Sequence, residues 1–248
     1  MAAGTWPCPR WIAHRGAGKL APENTLAAFR LGAALGWRAF ECDVKLSADG
    51  VAFLLHDDTL QRTTQGSGTA GDQPWAALSQ LDAGSWHSRQ FAGEPLPTLA
   101  AVARYMLHNG LQLNIEIKPT PGHEENTGRV VAQQAAQLWA GAAVPPLLSS
   151  FRPEALQAAR AAAPQLPRAL LLDTLWPGCL DMAAQLGCQA IVSKHTLMDA
   201  DLLQRARQAG WLAMVYTVND LADAERLLAL GVDGLISDAV DRFVPASG

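Results

Sequence analysis

Several features that would place a chain quickly are missing from this one. No apolar run approaches the ~20 residues needed to cross a bilayer, so stable membrane insertion is not expected. The four cysteines, Cys8, Cys42, Cys179 and Cys188, include no Cys-x-x-Cys pair, which removes the thioredoxin and zinc-knuckle signatures and leaves core or free thiols. Positive charge is not in excess. Nineteen Lys and Arg stand against 23 Asp and Glu, a net charge of −4, which argues against a nucleic-acid partner. Any anion recognition must therefore be local. The first ten residues, Met1 to Arg10, lack the charged start and continuous apolar core of a secretory leader. Together with the unpaired cysteines this predicts a cytoplasmic protein. There is no internal repeat and no low-complexity tract beyond alanine-rich helical stretches.

What is present is an alternation. Apolar strand-like runs near 11–14, 38–44, 111–117, 146–150, 168–172, 189–193, 211–216 and 233–237 are separated by Ala- and Leu-rich helical stretches near 24–36, 98–109, 126–140, 153–163, 177–187, 199–209 and 220–230. That pattern predicts a parallel sheet with crossover helices. Asn24 or Thr25 suits the first helix as a cap, Pro153 suits a first helical position, and Asn219 or Asp220 suits the last helix as a cap. A ninth run, 51–56, follows too soon for a crossover and reads as a hairpin arm turning at Asp49-Gly50. A two-residue turn there pairs residues whose numbers sum to 99, so His56 is expected opposite Asp43. Residues 58–97 break the alternation and are too long for a simple connection.

Charge sits where strand packing disfavours it. Glu41 and Asp43 flank Cys42 in an apolar run, and residues i and i+2 of a strand face one side. Two carboxylates in one space repel and resist burial unless a cation compensates, and a hard divalent ion is a natural one. Pairing of one carboxylate with an arginine or lysine at a strand end is the alternative. Asn114, Glu116 and Lys118 likewise share the face opposite Ile115 and Ile117. Two short buried-type strands close on histidines, His14-Arg15-Gly16 and His56-Asp57. A lone histidine in such a place is usually a hydrogen-bonded core residue, but two beside three carboxylates fit acid–base work.

These segments, with Pro22-Glu23-Asn24-Thr25, Arg62-Thr63-Thr64, Leu96-Pro97-Thr98-Leu99, Ser149-Ser150-Phe151 and Tyr216-Thr217-Val218-Asn219, form an ordered set over nearly the whole chain. The set resembles the glycerophosphodiester phosphodiesterases, in particular their cytosolic bacterial form. The resemblance implies a distorted TIM (β/α)8 barrel with a small insertion after the third strand segment: one unit over 1–248, with 58–97 overhanging the mouth and its aromatics, Trp75, Trp86 and Phe91, either walling a pocket or packing the insertion on itself, the latter expected for Trp75. The 248 residues agree with the ~250 usual for that barrel. It implies a hydrolase that releases sn-glycerol 3-phosphate and an alcohol, a magnesium or calcium ion on Glu41, Asp43 and Glu116, acid–base chemistry shared by His14 and His56, and phosphate held by Arg15 and Lys118. Glu23, Tyr216 and Asn219 are weaker candidates for substrate contact. Tyr216 stands where the family often has tryptophan. A lysophospholipase D-like enzyme, with an apolar groove near the insertion, and a barrel that binds phosphodiesters without turnover are the alternatives. The small-molecule substrate is the expected partner, and homo-oligomerisation is left open.

Overall fold

The computed structural model describes residues 6–243. The outer ends of the expected 1–248 unit, including the first half of the segment read for a leader, lie outside the described residues. The elements run β1 (Trp11–Ala13), α1 (Leu26–Ala34), β2 (Ala39–Leu46), β3 (Ala52–Leu54), α2 (Trp75–Leu78), α3 (Leu99–His108), β4 (Gln112–Ile117), α4 (Glu124–Leu138), β5 (Leu147–Ser150), α5 (Pro153–Ala162), β6 (Arg168–Leu172), α6 (Cys179–Gln185), β7 (Ala190–Lys194), α7 (Ala200–Gln208), β8 (Leu212–Tyr216), α8 (Leu221–Leu230) and β9 (Gly234–Ser237). Strand order is β1-β9-β8-β7-β6-β5-β4-β2-β3, and a further β1–β2 pairing closes the ring. Every pairing is parallel except β2–β3, so eight strands make the barrel and β3 is an extra arm.

Alternation along the strands divides the interior into two apolar layers. Residues such as Phe40, Cys42, Val44, Leu113, Ile115 and Leu170 face the helices in one buried cluster, while Ile12, Ala39, Leu147, Ala169, Val192, Met214 and Ile236 fill the barrel lumen in another. Trp6, 2% exposed, belongs to the lumen cluster and closes it from the N-terminal end of the strands. With the bottom of the lumen apolar, the polar lumen-facing residues lie at the C-terminal ends of the strands. That is the end at which barrels of this kind carry their chemistry.

Caps follow the sequence. Thr25 accepts from the Ala28 amide at the start of α1, Asp220 accepts from Ala222 at the start of α8, and Pro153 opens α5. Asn24 is not the cap, because both polar atoms of its side chain are committed to Asp43. Helices α4 and α5 cross at Gly128, where an added Cβ would stand 2.1 Å from the Ala155 carbonyl oxygen. Gly128→Ala is accordingly expected to destabilise the fold by about 1–3 kcal/mol through overpacking, despite alanine's better helix propensity. Thermal denaturation measures it, and an unchanged midpoint would contradict the tight crossing.

The hairpin differs from its expectation. Ser47 and Val51 close a three-residue turn through the Ser47 amide, with Gly50 at φ +83°. Asp49 stands at the apex because its Oδ1 accepts from Ser47 Oγ at 2.6 Å and from the Trp75 amide at 2.8 Å. The observed pairs, Val44↔Leu54 and Lys45↔Phe53, sum to 98, so Leu55, not His56, stands opposite Asp43 and donates to its carbonyl. His56 reaches the barrel mouth because the chain has left the ladder by then, which frees it from strand parity.

Residues 58–97 pack around Leu60, Ala70, Leu78, Ala83 and Leu96, together with Phe53 and Leu55. Trp75 meets Phe53 at a centroid distance of 5.9 Å, and His87 lies between Trp86 and Phe91. Trp75 thus packs the insertion on itself as expected, and neither Trp86 nor Phe91 lines the two cavities at the barrel mouth, a correction to the pocket-wall expectation for those two.

Candidate active site

The lumen alternation of β2 delivers Glu41, Asp43 and Lys45, and the β2–β4 register sets Asp43 beside Glu116. One oxygen from each of Glu41, Asp43 and Glu116 lies within 4.8 Å of the others, and all three residues are buried. Burial and the neighbouring Asp43 charge push the Glu41 carboxyl up to about 8. The same two causes raise Glu116. Burial also works against ionised Asp43, but Arg15 and Lys118 outweigh it and hold this carboxyl well below the usual range. Protein cations therefore compensate one carboxylate and leave the cluster short of positive charge. Asp43 Oδ1, moreover, has no hydrogen-bond partner among the described residues. An all-oxygen carboxylate set with an orphaned buried oxygen fits a hard divalent cation, which would rest on Glu41, Asp43 and Glu116.

Two cationic groups edge this cluster. Arg15 Nε lies 3.2 Å from Asp43 Oδ2, and Lys118 Nζ lies 2.9 Å from Glu116 Oε1 and 3.6 Å from Asp43 Oδ1. Arg15 is held at φ +52°, a left-handed backbone that a long side chain rarely adopts, and Asn24 at +60°. The Asn24 amide donates to the Arg15 carbonyl, its Nδ2 donates to Asp43 Oδ2 at 2.8 Å, and its Oδ1 accepts from the Asp43 amide at 3.1 Å. A strained loop after β1 is thereby tied to a carboxylate on β2.

Each histidine is anchored by a carboxylate. His14 Nδ1 lies 2.6 Å from Asp238 Oδ1, and His56 Nδ1 lies 2.7 Å from Asp57 Oδ1. Ionised partners there fix the tautomer with the proton on Nδ1 and leave each Nε2 as the acceptor, that of His14 standing 3.7 Å from Glu41 Oε2. Burial pulls the His14 imidazolium towards neutrality, but the Asp238 hydrogen bond and the Glu41 charge outweigh it and raise its pKa. At His56 burial dominates, aided by Arg15 and Lys118, and its pKa falls below the ordinary histidine value. His14, Arg15, Glu41, His56, Glu116 and Lys118 line one cavity of about 160 Å³, together with Tyr216.

Of the remaining candidates, Tyr216 shares this cavity, whereas Glu23 and Asn219 do not line it. Glu23 gives its oxygens to Arg15 at 2.8 Å and to two nitrogens of Arg62, which also grips Asp57. It thus joins the insertion to the β1 loop and sits behind the cavity wall. Asn219 Nδ2 donates to Asp238 Oδ2 at 2.9 Å and its Oδ1 accepts from the Asp238 amide at 2.8 Å, so Asn219 orients the residue that orients His14. Tyr216 lines the cavity, its ring packed edge-on against Phe151 at 5.7 Å.

Sequence reasoning missed Asp238 and Lys45. Asp238 follows the apolar run of β9 as His14 follows that of β1, and Lys45 continues the Glu41, Asp43 alternation. Both signals were of the kind already used for the carboxylates. Lys45 is fully buried and its Nζ donates to Asp58 Oδ1 at 2.6 Å, which pins the start of the insertion to the barrel. For Asp238→Asn the expected result is a fall of about 10–100-fold in kcat with KM little changed, because the imidazole loses its orienting acceptor. Steady-state kinetics on a natural diester check it, and wild-type kcat would contradict the positioning role.

Comparison with known proteins gives consistent results. The profile of the Glycerophosphoryl diester phosphodiesterase family matches residues 14–242. A glycerophosphodiester phosphodiesterase of Caldanaerobacter subterraneus subsp. tengcongensis is 32% identical over 237 residues, covering 94% of this chain and 95% of its relative. Among solved structures, an Oleispira antarctica phosphodiesterase in complex with the product sn-glycerol-3-phosphate superposes with a TM-score of 0.89 at 35% identity, covering 94% of each chain. A glycerophosphodiester phosphodiesterase from Agrobacterium tumefaciens gives 0.77 at 29% identity, covering 94% of this chain and 97% of that one.

Proposed function

Because the chain belongs to the glycerophosphoryl diester phosphodiesterase family, we propose that it hydrolyses glycerophosphodiesters to sn-glycerol 3-phosphate and an alcohol, using a divalent metal and two histidines. The observation that carries the reading is one cavity lined by Glu41, Glu116, Arg15, Lys118 and two histidines, with Asp43 completing the carboxylate cluster at its wall and each imidazole anchored by its own carboxylate.

A phosphodiester is a monoanion, and attack at phosphorus puts more charge on its non-bridging oxygens. Arg15 and Lys118 hold the phosphate and stabilise that developing charge more than the ground state. A magnesium or calcium ion on Glu41, Asp43 and Glu116 supplies further charge stabilisation when bound. One histidine Nε2 takes the proton from the nucleophile, either water or the neighbouring glycerol 2-hydroxyl, and the other gives a proton to the departing alkoxide; where the 2-hydroxyl attacks, water then opens the resulting cyclic phosphate to the monoester. The phosphorus–oxygen bond on the alcohol side breaks. Asp238 and Asp57 keep both imidazoles in the tautomer this exchange needs, and Asn219 and Arg62 keep those carboxylates in place.

We take residues 1–248 as one functional unit with 58–97 as its insertion. A cytoplasmic setting is supported by four cysteines that are all free. No helix among the described residues is long and apolar enough to cross a membrane. The lysophospholipid reading calls for an apolar groove beside the insertion. A cavity of about 450 Å³ adjoins the histidine cavity at Glu116 and Lys118, but of its lining the insertion supplies only Asp58. Phosphorus NMR of glycerophosphocholine with the purified protein tests the function: the expected phosphorus product is glycerol 3-phosphate. Release of phosphocholine, or no turnover with any divalent cation, would overturn it.

A further inference from the structure

Resting on the phosphodiesterase reading above, we propose that Trp176 and Asp173 select diesters whose leaving alcohol is positively charged, an amino or quaternary ammonium alcohol. Two cavities meet at Glu116, Lys118, Phe151 and Leu171. The inner one, of about 160 Å³, holds both histidines and ends on Asn114 and Ser149. Ser149 Oγ donates to Asn114 Oδ1 at 2.9 Å, and the fully buried Asn114 Nδ2 has no partner. A free donor in so small a space suits the hydroxyls of the invariant glycerol end.

The outer cavity, of about 450 Å³, then takes the variable alcohol. Apart from Glu116 and Lys118 at the centre, its charged walls are Asp58, Glu124, Asp173 and Arg152. Asp58 is already engaged by Lys45 at 2.6 Å, and Glu124 accepts from the Gly122 amide at 3.1 Å at the start of its own helix. Asp173 differs. Among the described residues it forms no ion pair, and its one hydrogen bond is from the adjacent Thr174 hydroxyl at 3.3 Å. Beside it in the loop between β6 and α6, Trp176 is 36% exposed and lines the same cavity. An indole and a carboxylate without an ion-pair partner, lining one cavity, offer a receptor for an ammonium group, which gains from the ring quadrupole and the charge together. A neutral polyol headgroup would meet neither need. Both residues are exposed, so the fold does not depend on them.

The test compares kcat/KM for glycerophosphocholine and for glycerophosphoglycerol, whose leaving alcohol is uncharged, in wild type, Asp173→Asn, Trp176→Leu and Trp176→Phe. Wild type is expected to favour the choline diester, and Asp173→Asn and Trp176→Leu are each expected to lower that preference about tenfold, with Trp176→Phe retaining most of it. Equal turnover of both diesters by wild type, or a preference unmoved by Asp173→Asn and Trp176→Leu, overturns the headgroup assignment while leaving the phosphodiesterase reading intact. Hydrolysis of neither diester overturns both.

Discussion

His14→Ala and His56→Ala are each expected to lower kcat by about 10²–10⁴-fold while the protein stays folded, the range that loss of a positioned acid or base produces. The two positions are not equivalent in their surroundings. His14→Ala leaves Asp238 without the partner 2.6 Å from its Oδ1, although Asn219 still donates to Oδ2, so a small fall in thermal midpoint should accompany the loss of activity. His56→Ala leaves Asp57 bound to Arg62 at 2.6 Å, and there the midpoint should hardly move. Metal affinity should survive in both, because neither imidazole belongs to the carboxylate cluster. Rates are read by glycerol 3-phosphate release and folding by circular dichroism. Full activity in either variant would sink the two-histidine mechanism.

Glu41→Gln should move stability and metal binding in opposite directions. In the metal-free protein the folded-state pKa of Glu41 is raised to about 8 by burial and by Asp43. A carboxyl raised in this way contributes stability below its unfolded value of about 4.3 and loses it as pH climbs through the folded value. The metal-free wild type should therefore lose thermal stability between roughly pH 4 and 8 from this group. The neutral amide removes that dependence, so metal-free Glu41→Gln should be the more stable protein at pH 8. Divalent affinity should fall by about a hundredfold or more, since charge count largely sets affinity at hard-cation sites. Calorimetric titration with magnesium and calcium and melting curves across pH check both arms. Unchanged affinity would remove Glu41 from the metal site, and a destabilised metal-free variant would show that repulsion among the three carboxylates is not what burial there creates.

The fold was legible where one rule governed a segment. Buried parallel strands such as 168–172 and 189–193 carry continuous apolar runs, Ala169 to Leu172 and Ala190 to Val192, and their ends fall within a residue of expectation. The charged lumen positions on β2 and β4 were legible because period-two alternation makes a carboxylate among apolar residues conspicuous. What escaped was set by contacts distant in sequence. The hairpin register turned on the Asp49 side chain reaching the Trp75 amide, 26 positions away, which places Asp49 at the apex and adds a residue to the turn. The role of Asp238 depends on β1 and β9 lying side by side, 224 positions apart at the His14 contact. Glu23 and Asn219 were read as substrate contacts from their place in loops at the mouth. The folded chain shows their polar atoms already spent on Arg15, Arg62 and Asp238. Composition cannot reveal that kind of prior commitment.

The most direct measurement is turnover of glycerophosphocholine after exhaustive removal of divalent ions with EDTA, followed by return of magnesium, calcium or manganese one at a time. Turnover should fall to background in EDTA and recover with at least one cation, with glycerol 3-phosphate as the product. Undiminished hydrolysis by the metal-free protein would contradict the claim that Glu41, Asp43 and Glu116 hold an ion on which the reaction depends.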